Sequence, residues 1–203
     1  MSAGELAPER RRRLLETAAR EFAAKGYEYA SLNAIIRDCG MRKSSFYHYV
    51  GSKAALFDVV VQEAMSELGR LLDIPAPQEL TGPHYWDAVA RLVTDVLAIA
   101  ASGNWYADVG RLFYLPDAPV QHSPTMQAVL QSIEGWLSQV LASGRACGAI
   151  RDDLPVSLQV ALVSDVVRCL DHWSLRHLSE YPRPTQNEIT RVQIDVLCRL
   201  LAP

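Results

Sequence analysis

Cysteine is scarce in this sequence of 203 residues, which has only Cys39, Cys147, Cys169 and Cys198. No two of them form a C-x-x-C pair, and long intervals separate them. Such spacing indicates neither a zinc site nor a disulfide framework. The simplest interpretation is four reduced thiols, which are typical of a cytoplasmic protein.

Long apolar runs are also absent. No stretch approaches the roughly eighteen consecutive apolar residues of a membrane-spanning helix. The arginines at 10–13 are similar to the start of a signal peptide, but Glu16, Arg20 and Glu21 interrupt the segment that should then be apolar. We therefore predict a soluble, cytoplasmic protein that does not bind a membrane.

Strand and enzyme signatures are missing too. We find no sustained alternation of apolar and polar residues and no Asn-Gly or Asp-Gly turn, so the predicted fold class is all-α. The sequence has no G-x-S-x-G elbow, phosphate-binding loop, G-x-G-x-x-G fingerprint, H-E-x-x-H or Glu-x-x-His motif. We therefore expect no enzymatic activity, no cofactor and no bound metal.

Charge is distributed unevenly along the chain. Residues 1–53 hold ten Lys and Arg against six Asp and Glu, a net charge of +4. The other 150 residues hold ten basic and seventeen acidic residues, a net charge of −7. A basic amino-terminal quarter on an acidic body indicates a module that binds a polyanion. A solvated charged face explains the charges equally well.

Helical patterns account for the amino-terminal quarter. A first helix with apolar residues at helical spacing should stop at Gly26, and Ser31 should cap a second helix that ends at Gly40. A third short helix should run from about Lys43 to Val50. A fourth, longer helix should follow a cap at Ser52.

The rest of the chain also reads as helical. Residues 73–83 contain three prolines and a glycine, so we expect a connection there. Helices are predicted at about 84–102, 104–115, 124–147, 155–178 and 186–201. The order Ser123-Pro124 is typical of a helix start, and Thr185 with Glu188 has the spacing of a capping box.

Two short helices joined by a glycine-containing turn, after a longer helix, describe a helix-turn-helix. The second short helix of such a motif enters the major groove of DNA with its first residues at the base edges. If Phe46 and Val50 anchor this helix inward, the polar residues between them face outward. A solvated surface helix is the alternative. The candidate DNA-binding residues are Ser31, Asn33, Arg42, Lys43, Ser44, Ser45, Tyr47, His48, Tyr49 and Lys53.

Residues 10–56 resemble the DNA-binding domain of the tetracycline-repressor (TetR) family. The resemblance lies in the arginine-rich start, "AAREFAAKGY", "SLNAIIRDCG" and "KSSFYHYVGSKAALF". Two positions depart from the usual pattern of the family. Ile36 stands where a small residue is usual, and Val50 stands where phenylalanine is frequent.

The resemblance implies a plan for the whole chain. Residues 1–53 would form a three-helix DNA-binding domain, and residues 54–203 a helical domain for ligand binding and dimerisation. The last two helices would form the homodimer interface. The implied function is a sequence-specific transcriptional regulator, a repressor that releases a palindromic operator when a small-molecule effector binds. The alternative is a helical small-molecule-binding protein with a non-specific basic patch.

The sequence indicates the effector site less clearly than it indicates the DNA-binding site. Aromatic residues concentrate between 84 and 147, which fits either an aromatic-walled pocket or plain core. An acid facing such a pocket would favour a cationic ligand. Asp171 lies in a stripe of mixed charge that fits a dimer interface as well as a ligand contact. The candidate ligand-binding residues are Trp86, Trp105, Tyr106, Phe113, Tyr114, Trp136 and Asp171.

Overall fold

The computed structural model describes residues 6–100, 102–113 and 120–203. Within these ranges the chain forms helices joined by turns and short connections, without strands. The all-α prediction is therefore confirmed. Short 3-10 turns occupy Pro77–Glu79, Gly82–His84, Val120–His122 and Leu178–Glu180. The α-helices of the described residues are α1 Pro8–Tyr29, α2 Leu32–Asp38, α3 Lys43–Tyr49, α4 Lys53–Leu71, α5 Tyr85–Ala100, α6 Trp105–Leu112, α7 Pro124–Ala146, α8 Val156–His177 and α9 Arg183–Leu201.

Local signals set most of the helix ends. Gly26 has a φ of 71° and interrupts the helical geometry of α1, and Gly40 has a φ of 72° after α2. Residues other than glycine rarely adopt this left-handed region. Ser31 accepts a hydrogen bond from the Ala34 N–H at 3.3 Å, so its predicted N-cap role is confirmed. Ser52 and Ser123 cap α4 and α7 in the same way.

The predicted capping box at Thr185 and Glu188 is wrong. Helix α9 begins two residues before Thr185, at Arg183, and Pro182 occupies the N-cap position without a side-chain cap hydrogen bond. Pro184 lies in the first turn, where its fixed φ suits a helix and its missing N–H costs nothing. The prolines therefore start the helix earlier than the polar pair indicates.

The chain folds into two compact units. The first contains the residues up to Leu71 together with Ile99–Val129. In it, α1 packs against α2, α4 and α6. The fully buried side chains of Phe22, Phe46, Leu56 and Phe57 form the centre of this unit, and each contributes about 1.5–3 kcal/mol by leaving water.

The second unit contains Leu72–Ala98 and Leu130–Pro203. Its core cluster includes Leu80, Tyr85, Leu141 and Ile150. The buried Tyr85 hydroxyl donates to the Val140 carbonyl at 3.1 Å, and burial raises the pKa of this phenol. The proposed division into functional domains after residue 53 stays a prediction.

Candidate nucleic-acid interface

The candidate interface is built on the turn between α2 and α3. Ile35 and Ile36 of α2 are buried, and so is Phe46 of α3, which is 0% exposed. Ile36 therefore fills the core at the position where the resemblance led us to expect a small residue. Gly40 reverses the chain between the two helices, and the Met41 N–H donates to the Ile36 carbonyl at 3.0 Å. These contacts fix α3 against α2.

The leading end of α3 carries the predicted polar residues on its outer side. Arg42, Lys43 and Ser44 are exposed, and Ser45 is half-buried. Arg42 occupies the N-cap position but makes no side-chain cap hydrogen bond. The end of the helix with the most cationic side chains is thus open to a polyanion.

Aromatic side chains lie along the same helix. Tyr47 and Tyr49 are 44% and 41% exposed. Tyr47 packs edge-on against Phe46, and His48 packs edge-on against Tyr49. Phenol and imidazole groups in this position can donate hydrogen bonds to phosphates. The burial pattern around Phe46 matches the prediction, while Val50 is only half-buried.

Lys53, the first residue of α4, is held at the junction with α1. Its Nζ donates to the Glu28 carbonyl at 2.9 Å and lies 4.9 Å from the centroid of the Tyr27 ring. The bond to Glu28 uses one of its three N–H donors, so the ammonium can still donate to a phosphate.

The amino-terminal end of α2 is anchored by a residue that the sequence did not single out. The Glu21 carboxylate accepts hydrogen bonds from the Ser31 N–H at 3.0 Å and from Lys25 Nζ at 2.8 Å. Burial acts to raise the pKa of Glu21, but these bonds outweigh it, so the pKa is lowered. Asn33 lies exposed in the first turn of α2, close in sequence to this anchor.

The arginine run divides into two kinds of side chain. Arg11 pairs with Glu63 at 2.7 Å, and Arg12 pairs with Glu16 at 2.8 Å. Within the described ranges, Arg10 and Arg13 have no ion-pair partner and are exposed. Two arginines of the run are therefore paired within the first unit, and the other two add to the positive charge at its surface.

The structure places the predicted ligand-binding residues in different units. Trp86 and Trp136 lie in the second unit, pack against its core, and donate to the Ala149 and Pro75 carbonyls at 3.2 and 3.0 Å. Three others, Trp105, Tyr106 and Phe113, lie in the first unit. The last aromatic of the set, Tyr114, lies outside the described residues. Their role in ligand binding stays a prediction.

A small cavity of about 50 Å³ lies among α5, α8 and α9. Among the predicted residues only Asp171 lines it, and the other polar side chain is Gln193, whose Nε2 donates to Ser174 Oγ at 2.8 Å. No sequence pattern indicates Gln193, because a single glutamine within an amphipathic helix has no distinctive spacing. The apolar lining residues are Val93, Leu97, Val167, Leu170, Ile194 and Leu197.

The described part of the chain has neither a candidate membrane span nor a candidate metal cluster. None of its helices is both long and apolar enough to cross a membrane. Its His, Cys, Asp and Glu side chains form no cluster of three or more with the geometry of a metal site.

The amino-terminal part of the chain matches a known protein family. Residues 14–60 match the family model of bacterial regulatory proteins, tetR family. The matched stretch runs from the first buried leucine of α1 into α4, so it includes the whole helix-turn-helix. The part of the chain that carries the candidate interface is therefore similar to the tetR family.

Two proteins similar to this chain are named as helix-turn-helix (HTH) regulators. The HTH-type transcriptional regulator YdgC of Bacillus subtilis is 35% identical over 65 residues, which are 32% of this chain and 33% of YdgC. The HTH-type transcriptional regulator Rv1816 of Mycobacterium tuberculosis is 28% identical over 145 residues, 68% of this chain and 58% of that relative. The matches thus span less than two thirds of either relative.

Solved structures share the fold of this chain over nearly its whole length. A TetR family transcriptional regulator from Chloroflexus aurantiacus has a TM-score of 0.72 and 22% identity, with coverage of 98% of this chain and 96% of that one. AibR, solved in complex with isovaleryl coenzyme A and operator DNA, has a TM-score of 0.70 and 20% identity, with coverage of 93% and 97%. At these identities the likeness establishes the fold.

Proposed function

We propose that this protein is a transcriptional regulator of the TetR family. In this proposal it binds a palindromic operator sequence-specifically and represses transcription until an effector releases it. The proposal is supported most directly by the burial and exposure of the side chains of α3. Its one fully buried side chain, Phe46, fixes the helix, while Arg42, Lys43, Ser44 and Tyr47 remain exposed on it. A helix held in this way presents cations and hydrogen-bond donors to base edges and phosphates.

We propose that the protein forms a homodimer through α8 and α9. Large apolar side chains are exposed along these helices, and two of them on α9, Val192 and Val196, are 60% and 41% exposed. Contiguous exposed apolar residues are typical of a protein–protein interface. A two-fold symmetric dimer matches a palindromic site when its two α3 helices lie about 34 Å apart, or a multiple of that spacing.

The proposed effector is a small molecule bound by the carboxy-terminal helical part. AibR, which shares the fold, was solved with isovaleryl coenzyme A and operator DNA together. Such a ligand releases DNA only if it binds the DNA-free conformation more tightly than the DNA-bound one. We propose that the contacts come from the predicted aromatic residues and Asp171, that the protein has no catalytic activity, and that it works in the cytoplasm.

Selection from a random DNA pool tests this function. Purified protein is mixed with random duplexes and excess non-specific competitor at a stated salt concentration, and the retained duplexes are sequenced. We expect a palindromic consensus whose half-site spacing reports the separation of the two α3 helices. Weak, salt-sensitive binding without a consensus would contradict the proposal and favour a non-specific basic patch.

A further inference from the structure

The Lys53 ammonium is held by two residues that also hold a histidine far away in sequence. The Tyr27 ring stacks on the His122 imidazole, with centroids 4.1 Å apart and planes 13° apart. His122 Nε2 lies 3.5 Å from Glu28 Oε1. Lys53 also lies over the Tyr27 ring and donates to the main-chain carbonyl of Glu28. The Lys53 and His122 side chains therefore contact the same two residues.

The residues next to His122 are anchored to α4. Ser123 Oγ donates to Asp58 Oδ1 at 2.6 Å, and the Thr125 N–H donates to the same oxygen at 3.0 Å. Asp58 lies five positions after Lys53 on the same helix. The backbone that carries His122 is therefore fixed relative to the helix that carries Lys53.

We infer that His122 is a positioning residue for DNA binding, although it lies outside the helix-turn-helix. By holding Tyr27 and Glu28, it restrains the Lys53 ammonium in the orientation that contacts a phosphate. A lysine side chain has a flexible four-carbon stem, so a single phosphate contact depends on what restrains that stem. This inference rests on the proposed function, because it assigns a role within the same DNA-binding site.

The salt dependence of DNA binding separates positioning from a purely structural role. Each phosphate contact adds about 0.9 to the slope of log K against log of the salt concentration. The slope is measured for the wild-type protein, Lys53→Ala, His122→Ala and the double variant, on a mixed-sequence duplex and on the selected duplex. We expect Lys53→Ala to reduce the slope by roughly 0.9. His122→Ala should also reduce it, and the double variant should lose no more than Lys53→Ala alone.

Two more variants control for folding and for the ring stack. Gln121→Ala changes an exposed neighbour of His122 and should keep the wild-type slope. His122→Phe keeps an aromatic ring for stacking on Tyr27 and should restore most of the slope that His122→Ala loses. Far-ultraviolet circular dichroism confirms that each variant remains helical.

Several results would overturn the inference. The inference is wrong if the salt slope is unchanged in either single variant, or if the double variant loses more slope than Lys53→Ala alone. It is also wrong if His122→Ala binds DNA more weakly but keeps the wild-type slope. Failure of the proposed function is visible separately, because the wild-type protein would then bind the selected and mixed-sequence duplexes equally. The slopes on the mixed-sequence duplex still test His122 in that case.

Discussion

At the residue scale, the candidate interface is a set of exposed side chains around one buried phenylalanine. Phe46 is the inward anchor that helical spacing indicates, and Arg42, Lys43 and Tyr47 around it are exposed. Substitution of Lys43 gives the sharpest test of DNA contact. Lys43 is exposed at the first position of α3 and makes no ion pair among the described residues.

Lys43→Ala should weaken binding to all duplexes by a similar factor and reduce the salt slope by about 0.9, the contribution of one phosphate contact. Fluorescence anisotropy at several salt concentrations measures both quantities. Lys25→Ala is a matched control, since that lysine is paired with Glu21 at 2.8 Å. Its slope should equal that of the wild-type protein. An unchanged slope for Lys43→Ala would remove Lys43 from the phosphate contacts.

At the element scale, serine side chains cap the starts of α2, α4 and α7. Asp58 on α4 accepts hydrogen bonds from Ser123 and Thr125 at the start of α7, so one carboxylate joins two helices far apart in sequence. Burial acts to raise the pKa of Asp58, but these hydrogen bonds outweigh it and the pKa is lowered. The folded protein therefore prefers the charged form of this side chain.

Asp58→Asn should lower the free energy of unfolding by about 1–2 kcal/mol at neutral pH, the size expected for loss of a charged cap. Because the folded pKa is the lower one, the stabilisation is complete above the unfolded pKa of about 3.9 and is lost as the pH falls through the folded value. Urea unfolding of both proteins at neutral and acidic pH measures this. The difference in stability should shrink in acid.

The charge of Asp58 is not responsible if the wild-type protein and Asp58→Asn differ in free energy of unfolding by the same amount at neutral and acidic pH. Such a result would show that Asp58 stabilises the junction by shape and not by its charge. Asp73→Asn, at an exposed position beyond the end of α4, serves as the control and should have no measurable effect at any pH.

At the scale of the whole molecule, the chain forms two compact units, and α5 and α7 each contribute residues to both. The first unit contains the helix-turn-helix, and the second contains α8 and α9 with their exposed apolar side chains. A dimer of this chain would cover those side chains. DNA binding to a palindrome would then depend on contacts made by helices that never touch DNA.

Val192→Glu should weaken dimerisation by about 100-fold or more, because burying a charge without a partner costs several kcal/mol. The change should leave the monomer folded, since Val192 is exposed in the single chain. Analytical ultracentrifugation over a range of concentrations measures the dimer dissociation constant. Asn187→Glu adds the same charge at another exposed position of α9 and should have little effect. Equal dissociation constants for both variants would exclude Val192 from the interface.

Features that depend on neighbouring residues follow from the order of amino acids along the chain. The helical spacing of apolar side chains, the glycines at 26 and 40 and the caps at Ser31, Ser52 and Ser123 all act within a few residues, so their outcome could be read from the chain. The same local reasoning failed at α9, where proline geometry outweighed a polar capping pattern.

Contacts between residues far apart in the chain depend on how the helices pack. Lys53 rests on residues of α1, Tyr27 stacks on His122, and Asp58 holds the start of α7, over separations of 25 to 95 positions. The predicted ligand-binding aromatics, by contrast, fall in two units. Such contacts follow from how helices pack, and packing depends on side-chain shape and burial over the whole core, which no local pattern records.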